Sequence, residues 1–246
     1  MATQGRRPQR RTQKTTKPPQ QKRRPGQPKA PAKAPGRVVF DAPTTAPEEP
    51  RSFRLGVVPG ATPGKWIDAW KQRMPHVPIE IVTVEVAAQA SAIDEVDAAL
   101  VRLPLHGVVP DDVHVISLYD EVPVVVAGID SHLLAADELH LADLEGEVII
   151  ALTDDALPSH TVPGAVAARF AAMSTAEAVA TSATGVGIAL VPMSLARLHH
   201  RKDVGHRPLA DGPTSTVALA WSRDRTTPDV ETFVGIVRGR TAHSSR

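Results

Sequence analysis

Past residue 50 the chain breaks into short apolar runs divided by polar, proline- and glycine-bearing stretches. "RLGVV", Arg54 to Val58, is predicted as a strand stopped by Pro59 and Gly60. "TPGKWIDAWKQRM" follows with helical spacing. Thr62 is predicted as its N-cap and Pro63 as its first residue. Trp66, Ile67 and Trp70 then share one apolar face. "PIEIVTVEV" alternates and reads as a second strand from Ile79 to Val84 or beyond. "AAQASAIDEV" is a short helical crossover, with Asp94, Glu95 and Asp97 at its end. "DAALVRL" is the third strand. Strand, helix, strand, helix, strand predicts a parallel α/β unit with right-handed crossovers.

The pattern continues through "DVHVISLYDEVPVVVAG", two β-rich stretches ending at Val126. "LADLEGEVIIAL" reads as a helical turn and a strand from Val148 to Leu152, and "AVAARF" as another strand. In "MSTAEAVATSATGVGIALVP", Ser174 and Glu177 have the spacing of a capping box. That helix is predicted to run to about Ala183 and end at Gly185, before a strand from Ile188 to Val191. "TSTVALAWSRD" is a late strand. A last helix has Thr227 as N-cap and Pro228 at its first position.

Two of these loops share a design. Each leads from a strand into a helix N-terminus bearing hydroxyls: Thr62 in one, Ser174 and Thr175 in the other. Helix N-termini offer free N–H groups and partial positive charge. Two such ends across a cleft would hold a small anion; the plainer reading is ordinary capping. Arg102 adds to the first reading. It ends a buried strand, its guanidinium stays charged, and open α/β sheets bind ligands at the C-terminal ends of their strands. The alternative for Arg102 is a strand end that reaches water.

Charge divides the chain. The formal net charge is +1, but the first 40 residues hold 12 of the 28 Lys and Arg and no Asp or Glu. The other 206 residues then carry 16 basic against 27 acidic side chains. Residues 1–50 lack apolar periodicity and are rich in Pro, Gln, Lys and Arg. They are expected to be a disordered tail and linker, because so little apolar surface cannot offset the entropy of ordering. One reading of the tail is an arm for non-specific nucleic-acid contact through residues 1–40, with Arg6, Arg7, Arg10, Arg11, Lys22, Arg23 and Arg24 meeting phosphates. Contact by about half its charges would give a salt slope of roughly −5. The other readings are a solubilising spacer or a weak protein-binding arm. There is no cysteine, which removes disulfides, thiolate metal sites and a cysteine nucleophile. No apolar run is long enough to span a membrane, and no apolar segment follows the basic start as in a signal peptide. A cytoplasmic location is expected.

"FRLGVVPGA", "IEIV", "DAALVRLP", "LYDEVPVVVAG", "LADLEGEVIIA", "STAEAVATSATGVGIALVP" and "VALAWSRD" come in an order that resembles the effector-binding domain of LysR-type transcriptional regulators. The resemblance covers about residues 53 to 240. It implies an α/β, type 2 periplasmic-binding-protein-like fold of two subdomains: 53–126 plus 213–240 as subdomain I, and 127–212 as subdomain II. It also implies a small-molecule effector, expected to be a carboxylate, in the cleft between them, and a side-by-side homodimer. The effector residues it implies are Gly60, Ala61, Thr62, Arg102 and Pro104 from the first subdomain. From the second come Thr153, Ser174 and Thr175. Residues 1–50 are not expected to form the winged helix–turn–helix that precedes this domain in the family. "TDDALPSHTVPG" is shorter than the family's crossover, so subdomain II is expected to be trimmed.

His199, His200 and His206 in "RLHHRKDVGHR" lack the spacing of metal ligands and are read as a solvated basic helix end. "GVG" at 185–187 ends a helix instead of opening one, so it is no dinucleotide fingerprint. No nucleophile stands in register with a base. No cofactor, no metal and no catalysis are expected. Three further readings remain: a nucleic-acid-associated protein whose tail acts while its folded part oligomerises, a transport-type solute-binding protein, and an enzyme on the same fold.

Overall fold

The structure, a computed structural model, describes residues 51–239. The tail and linker, with Arg6, Arg7, Arg10, Arg11, Lys22, Arg23 and Arg24, lie outside the described residues.

A five-stranded sheet forms around the first apolar runs. Its strands are β1 (Phe53–Val57), β2 (Ile79–Thr83), β3 (Ala98–Leu103), β4 (Val113–Glu121) and, from late in the chain, β10 (Ser215–Ser222), in the order β2-β1-β3-β10-β4. β1 pairs in parallel with β2 and β3. α1 (Gly64–Arg73) links β1 to β2 and α2 (Gln89–Glu95) links β2 to β3, as the alternation of elements predicts. β10 lies antiparallel to both β3 and β4, so the parallel reading holds for the first three strands only.

The two faces of this sheet are packed differently. On one, Phe53, Trp70 and Phe233 form an aromatic group with ring centroids 4.6 to 5.9 Å apart. It joins α1 to the last helix, α5 (Pro228–Val237). On the other, α2 lies over small side chains, Ala99, Ala218 and Ala220, and buries Ile93 and, at the helix end, Val96 against them. Gly56 keeps this approach close: a Cβ there would stand 3.0 Å from the Ala99 Cβ.

A second, antiparallel sheet has the order β8-β5-β9, from β5 (Pro123–Gly128), β8 (Ala189–Pro192) and β9 (Val204–Pro208). α3 (Thr175–Ser182) and α4 (Met193–Leu198) cover one face. Leu133, Leu139, Leu144 and Leu209 fill the other. β6 (Val148–Ile149) and β7 (Val166–Ala167) are a two-residue parallel pair. The chain passes from the first sheet to the second at Val122 and returns between Pro208 and Ser215. β5 therefore belongs to the second sheet, and the change of sheet comes before the expected boundary at residue 126.

Several sequence expectations are met and some are not. Ser174 and Glu177 make the capping box: the Ser174 hydroxyl accepts from the Glu177 N–H, and the Glu177 carboxylate accepts from the Ser174 N–H at 2.9 Å. Thr227 caps α5 and Pro228 begins it. Thr62 does not cap α1. Pro63 holds the cap position itself, and its carbonyl accepts from Trp66 and Ile67. Thr62 is thereby left outside the first turn. The basic stretch read as a helix end is divided: α4 stops at Leu198, and His206 lies on β9, paired with Val126. No helix among the described residues is long and apolar enough to cross a membrane.

Candidate functional site

Arg102 is carried to the centre of the molecule by its strand. "AALVRL" is apolar except at Arg102, and β3 is flanked on both sides by β1 and β10. The residue is only 2% exposed. A guanidinium so deep needs a partner, and Glu121, the last residue of β4, supplies it. Arg102 Nε donates to Glu121 Oε2 at 2.7 Å and Nη2 to Oε1 at 3.3 Å. This is the side-on fork that carboxylates and guanidinium groups favour.

The pair is part of a larger network at the crossing between the sheets. Ser194, in the first turn of α4, donates to Glu121 Oε1 and accepts from Arg102 Nη2 at 3.2 Å. Ser215, where the chain re-enters the first sheet, donates to Glu121 Oε2 at 3.4 Å. The Arg102 backbone N–H is taken by Gln89 Oε1 of α2 at 2.5 Å. Glu121 thus touches β3, α4 and β10 at once. One nitrogen is left over: Arg102 Nη1 is buried and has no hydrogen-bond partner among the described residues. A buried donor without a partner costs about 1–3 kcal/mol, which marks it for explanation.

Arg102 forms part of the wall of a cavity of about 290 Å³. From the first sheet's side the wall includes Gln89, Ala90, Pro104 and His106, and from the second Thr153, Asp154, Asp155 and Ala156. The Leu103–Pro104 peptide is cis. A second, more open cavity of about 580 Å³ lies beyond the ion pair, lined by Gly60, Ala61, Thr62, Tyr119, Glu121, Ser194 and Arg197. Gly60 has φ +84°, and a Cβ there would lie 2.8 Å from the Ser194 hydroxyl. Glycine meets both demands, the left-handed backbone and the close approach.

The residues singled out from sequence therefore fall into three groups. Arg102, Pro104 and Thr153 line the first cavity. Gly60, Ala61 and Thr62 line the second. Ser174 and Thr175 line neither of these two, and Thr175 is buried. The α3 N-terminus is occupied by the chain's own carboxylates. Asp154 Oδ1 accepts from the Thr175 N–H at 2.7 Å and from its hydroxyl at 2.9 Å, while Glu177 closes the capping box. Sequence reasoning missed Glu121, Ser194 and the pairing of Asp154 with Thr175. Glu121 and Asp154 lie 19 and 21 residues from their partners, and nothing local announces the pairing.

Electrostatically the first cavity leans negative. Glu121 offsets Arg102, leaving Asp154 and Asp155. The Asp155 carboxyl is held above its ordinary range. Desolvation at the cavity wall is the main cause, and the adjacent Asp154 adds to it. The Leu157 N–H and His160 act the other way. In the second cavity, burial raises the Tyr119 phenol and Glu121 raises it further. Arg102 and the Thr62 backbone oppose this. Among the described residues no group of three or more His, Cys, Asp or Glu could hold a metal ion.

A mixed five-stranded sheet and an antiparallel three-stranded sheet, crossed twice by the chain and meeting at a polar network beside a cavity, define a two-lobed α/β architecture. The family is given by the match of residues 47–242 to the LysR substrate binding domain. The chain belongs to that family and has its α/β, periplasmic-binding-protein-like fold. Among solved structures it is similar to the BenM effector-binding domain with its effector benzoate, at 18% identity and TM-score 0.59, covering 77% of this chain and 91% of that one. It is similar to the oxidised form of OxyR at 19% identity and TM-score 0.58, covering 76% and 92%. The reduced OxyR regulatory domain from Pseudomonas aeruginosa gives 20% identity and TM-score 0.56, covering 77% and 98%. A comparison with curated proteins gives no match.

Proposed function

We propose that this protein is a non-catalytic effector-binding protein of transcription-linked regulation, and that a small molecule binds in the cavity beside Arg102. The observation that carries this reading is the cavity itself. Both lobes contribute to its wall, and Arg102, whose buried guanidinium has one nitrogen without a hydrogen-bond partner among the described residues, is part of it. A ligand there would touch both lobes. It would favour whichever arrangement of them it binds more tightly, and its differential affinity sets how far the equilibrium moves. Benzoate bound to BenM supports a small organic effector. The carboxylate expected from sequence relied on an open cation at Arg102 and an open helix end at Thr175. Glu121 and Asp154 meet both of these. We further propose that the protein works as a homodimer in the cytoplasm.

The test is thermal shift against a panel of small organic acids, amides, alcohols and amines. A ligand of the folded state raises the melting temperature as its concentration passes Kd. Ala90→Phe, which fills the cavity from α2, should abolish the shift while the protein stays folded. A shift that survives Ala90→Phe places the ligand elsewhere. Absence of any shift across the panel removes the effector reading.

A further inference from the structure

We propose that the cavity beside Arg102 selects an uncharged head group, a primary amide above all, and discriminates against carboxylates. The proposal rests on the effector reading and specifies its ligand.

Three observations carry it. First, the charge of Arg102 is already met: Nε and Nη2 face the Glu121 carboxylate at 2.7 and 3.3 Å. A second carboxylate would bring two anions to one buried cation, and like charges juxtaposed in a binding site are strongly unfavourable. Second, Nη1 is buried and has no hydrogen-bond partner among the described residues. The planar guanidinium puts it on the edge away from Glu121, where one neutral acceptor such as an amide carbonyl would complete the set. Third, the opposite wall is acceptor-rich. Asp154 spends Oδ1 on Thr175 and Asp155 spends Oδ1 on the Leu157 N–H at 3.0 Å. Among the described residues, neither carboxylate has a positively charged side chain in hydrogen-bond contact. An amide N–H₂ has two donors to give to such a wall, and a carboxylate has none. The site that looks cationic in sequence has been made anionic by the protein's own side chains.

Matched pairs of probes separate the possibilities: benzoate and benzamide, nicotinate and nicotinamide, glutamate and glutamine. Affinities are measured on the full chain by thermal shift and calorimetry. In at least one pair the amide should bind about tenfold or more tightly than its carboxylate. Glu121→Gln releases the Arg102 charge and should reverse that preference. If Glu121→Gln does not fold, Asp155→Asn, which keeps a carbonyl for the Leu157 N–H, should narrow the gap in the same direction. Tighter binding of a carboxylate to the wild-type protein overturns the proposal and leaves effector binding standing. So does an amide preference that neither variant changes. Melting temperatures unmoved by all six probes overturn it as well, and the wider panel above then decides on effector binding separately.

Discussion

The network at the lobe crossing makes Glu121 the side chain on which the described fold depends most sharply for its charge balance. Glu121→Gln keeps the shape of the residue, but it removes the charge and replaces one acceptor oxygen with a donor. In the native protein those oxygens accept from Arg102 Nε and Nη2, from Ser194 and from Ser215. The variant would leave the Arg102 guanidinium, 2% exposed, without a counter-ion. Removing one partner of a buried pair costs about 3–5 kcal/mol. In a folded region of this size each kcal/mol lowers Tm by about 2–4 °C, so the melting temperature should fall by roughly 6–20 °C. Adding Arg102→Met removes the stranded charge as well. The double variant should then be more stable than the sum of the single losses by at least about 2 kcal/mol. Urea denaturation followed by circular dichroism gives these values as midpoint changes at constant slope. Raising the salt concentration should alter them little, since a buried pair is poorly screened. A Glu121→Gln protein within about 0.5 kcal/mol of wild type, or strictly additive variants, would refute the reasoning. The guanidinium would then have to be reaching water through the cavity.

Three further predictions concern the same region. Asp154→Ala should cost about 1–2 kcal/mol by uncapping the buried Thr175 N–H, and Asp154→Asn, which keeps an oxygen there, clearly less; urea midpoints give both. Gly60→Ala should lose at least about 1–2 kcal/mol from its φ of +84° alone, and more from the contact its Cβ would make with the Ser194 hydroxyl, read as a drop in Tm. His206 is held below its ordinary range chiefly by burial, with Arg197, Arg207 and His200 adding to it. The unfolded chain therefore takes up a proton more readily than the folded one below the unfolded imidazole's usual value of 6.5. This contribution is constant above that point and is lost as the pH falls through it. Denaturation midpoints between about pH 7.5 and pH 5 should fall less steeply in His206→Gln than in wild type.

The first sheet was legible because its strands and helices declare themselves locally. β1 to β3 come as apolar runs with helical spacing between them, and α3 and α5 begin with caps whose partners lie three residues away. β9 was not legible. "VGHRP" has one β-branched residue, two polar ones, a glycine and a proline, and it is a strand because β5 lies beside it. The site was legible in part for the same reason. The buried end of "DAALVRL" marked Arg102, and proline and glycine marked the loops around it. What neutralises Arg102 could not be read. Glu121 closes an alternating strand and looks like a solvated end, and only the pairing of β4 with β10, from late in the chain, turns it inward. The helix N-terminus at Thr175 was likewise legible as a helix start, but its occupation by Asp154 depends on how the loop after β6 folds back.

The placement of the aromatic side chains has an optical consequence. The chain's three tryptophans are Trp66 and Trp70 on α1 and Trp221 on β10. All of them belong to the core of the first sheet, and the lobe built on β5, β8 and β9 has none. Intrinsic tryptophan emission is thus a reporter for one lobe, while circular dichroism sees both. If the lobes unfold together, the two signals trace one transition. If they separate, emission holds steady while ellipticity falls, or the reverse, and the gap between the curves measures how independent the second lobe is.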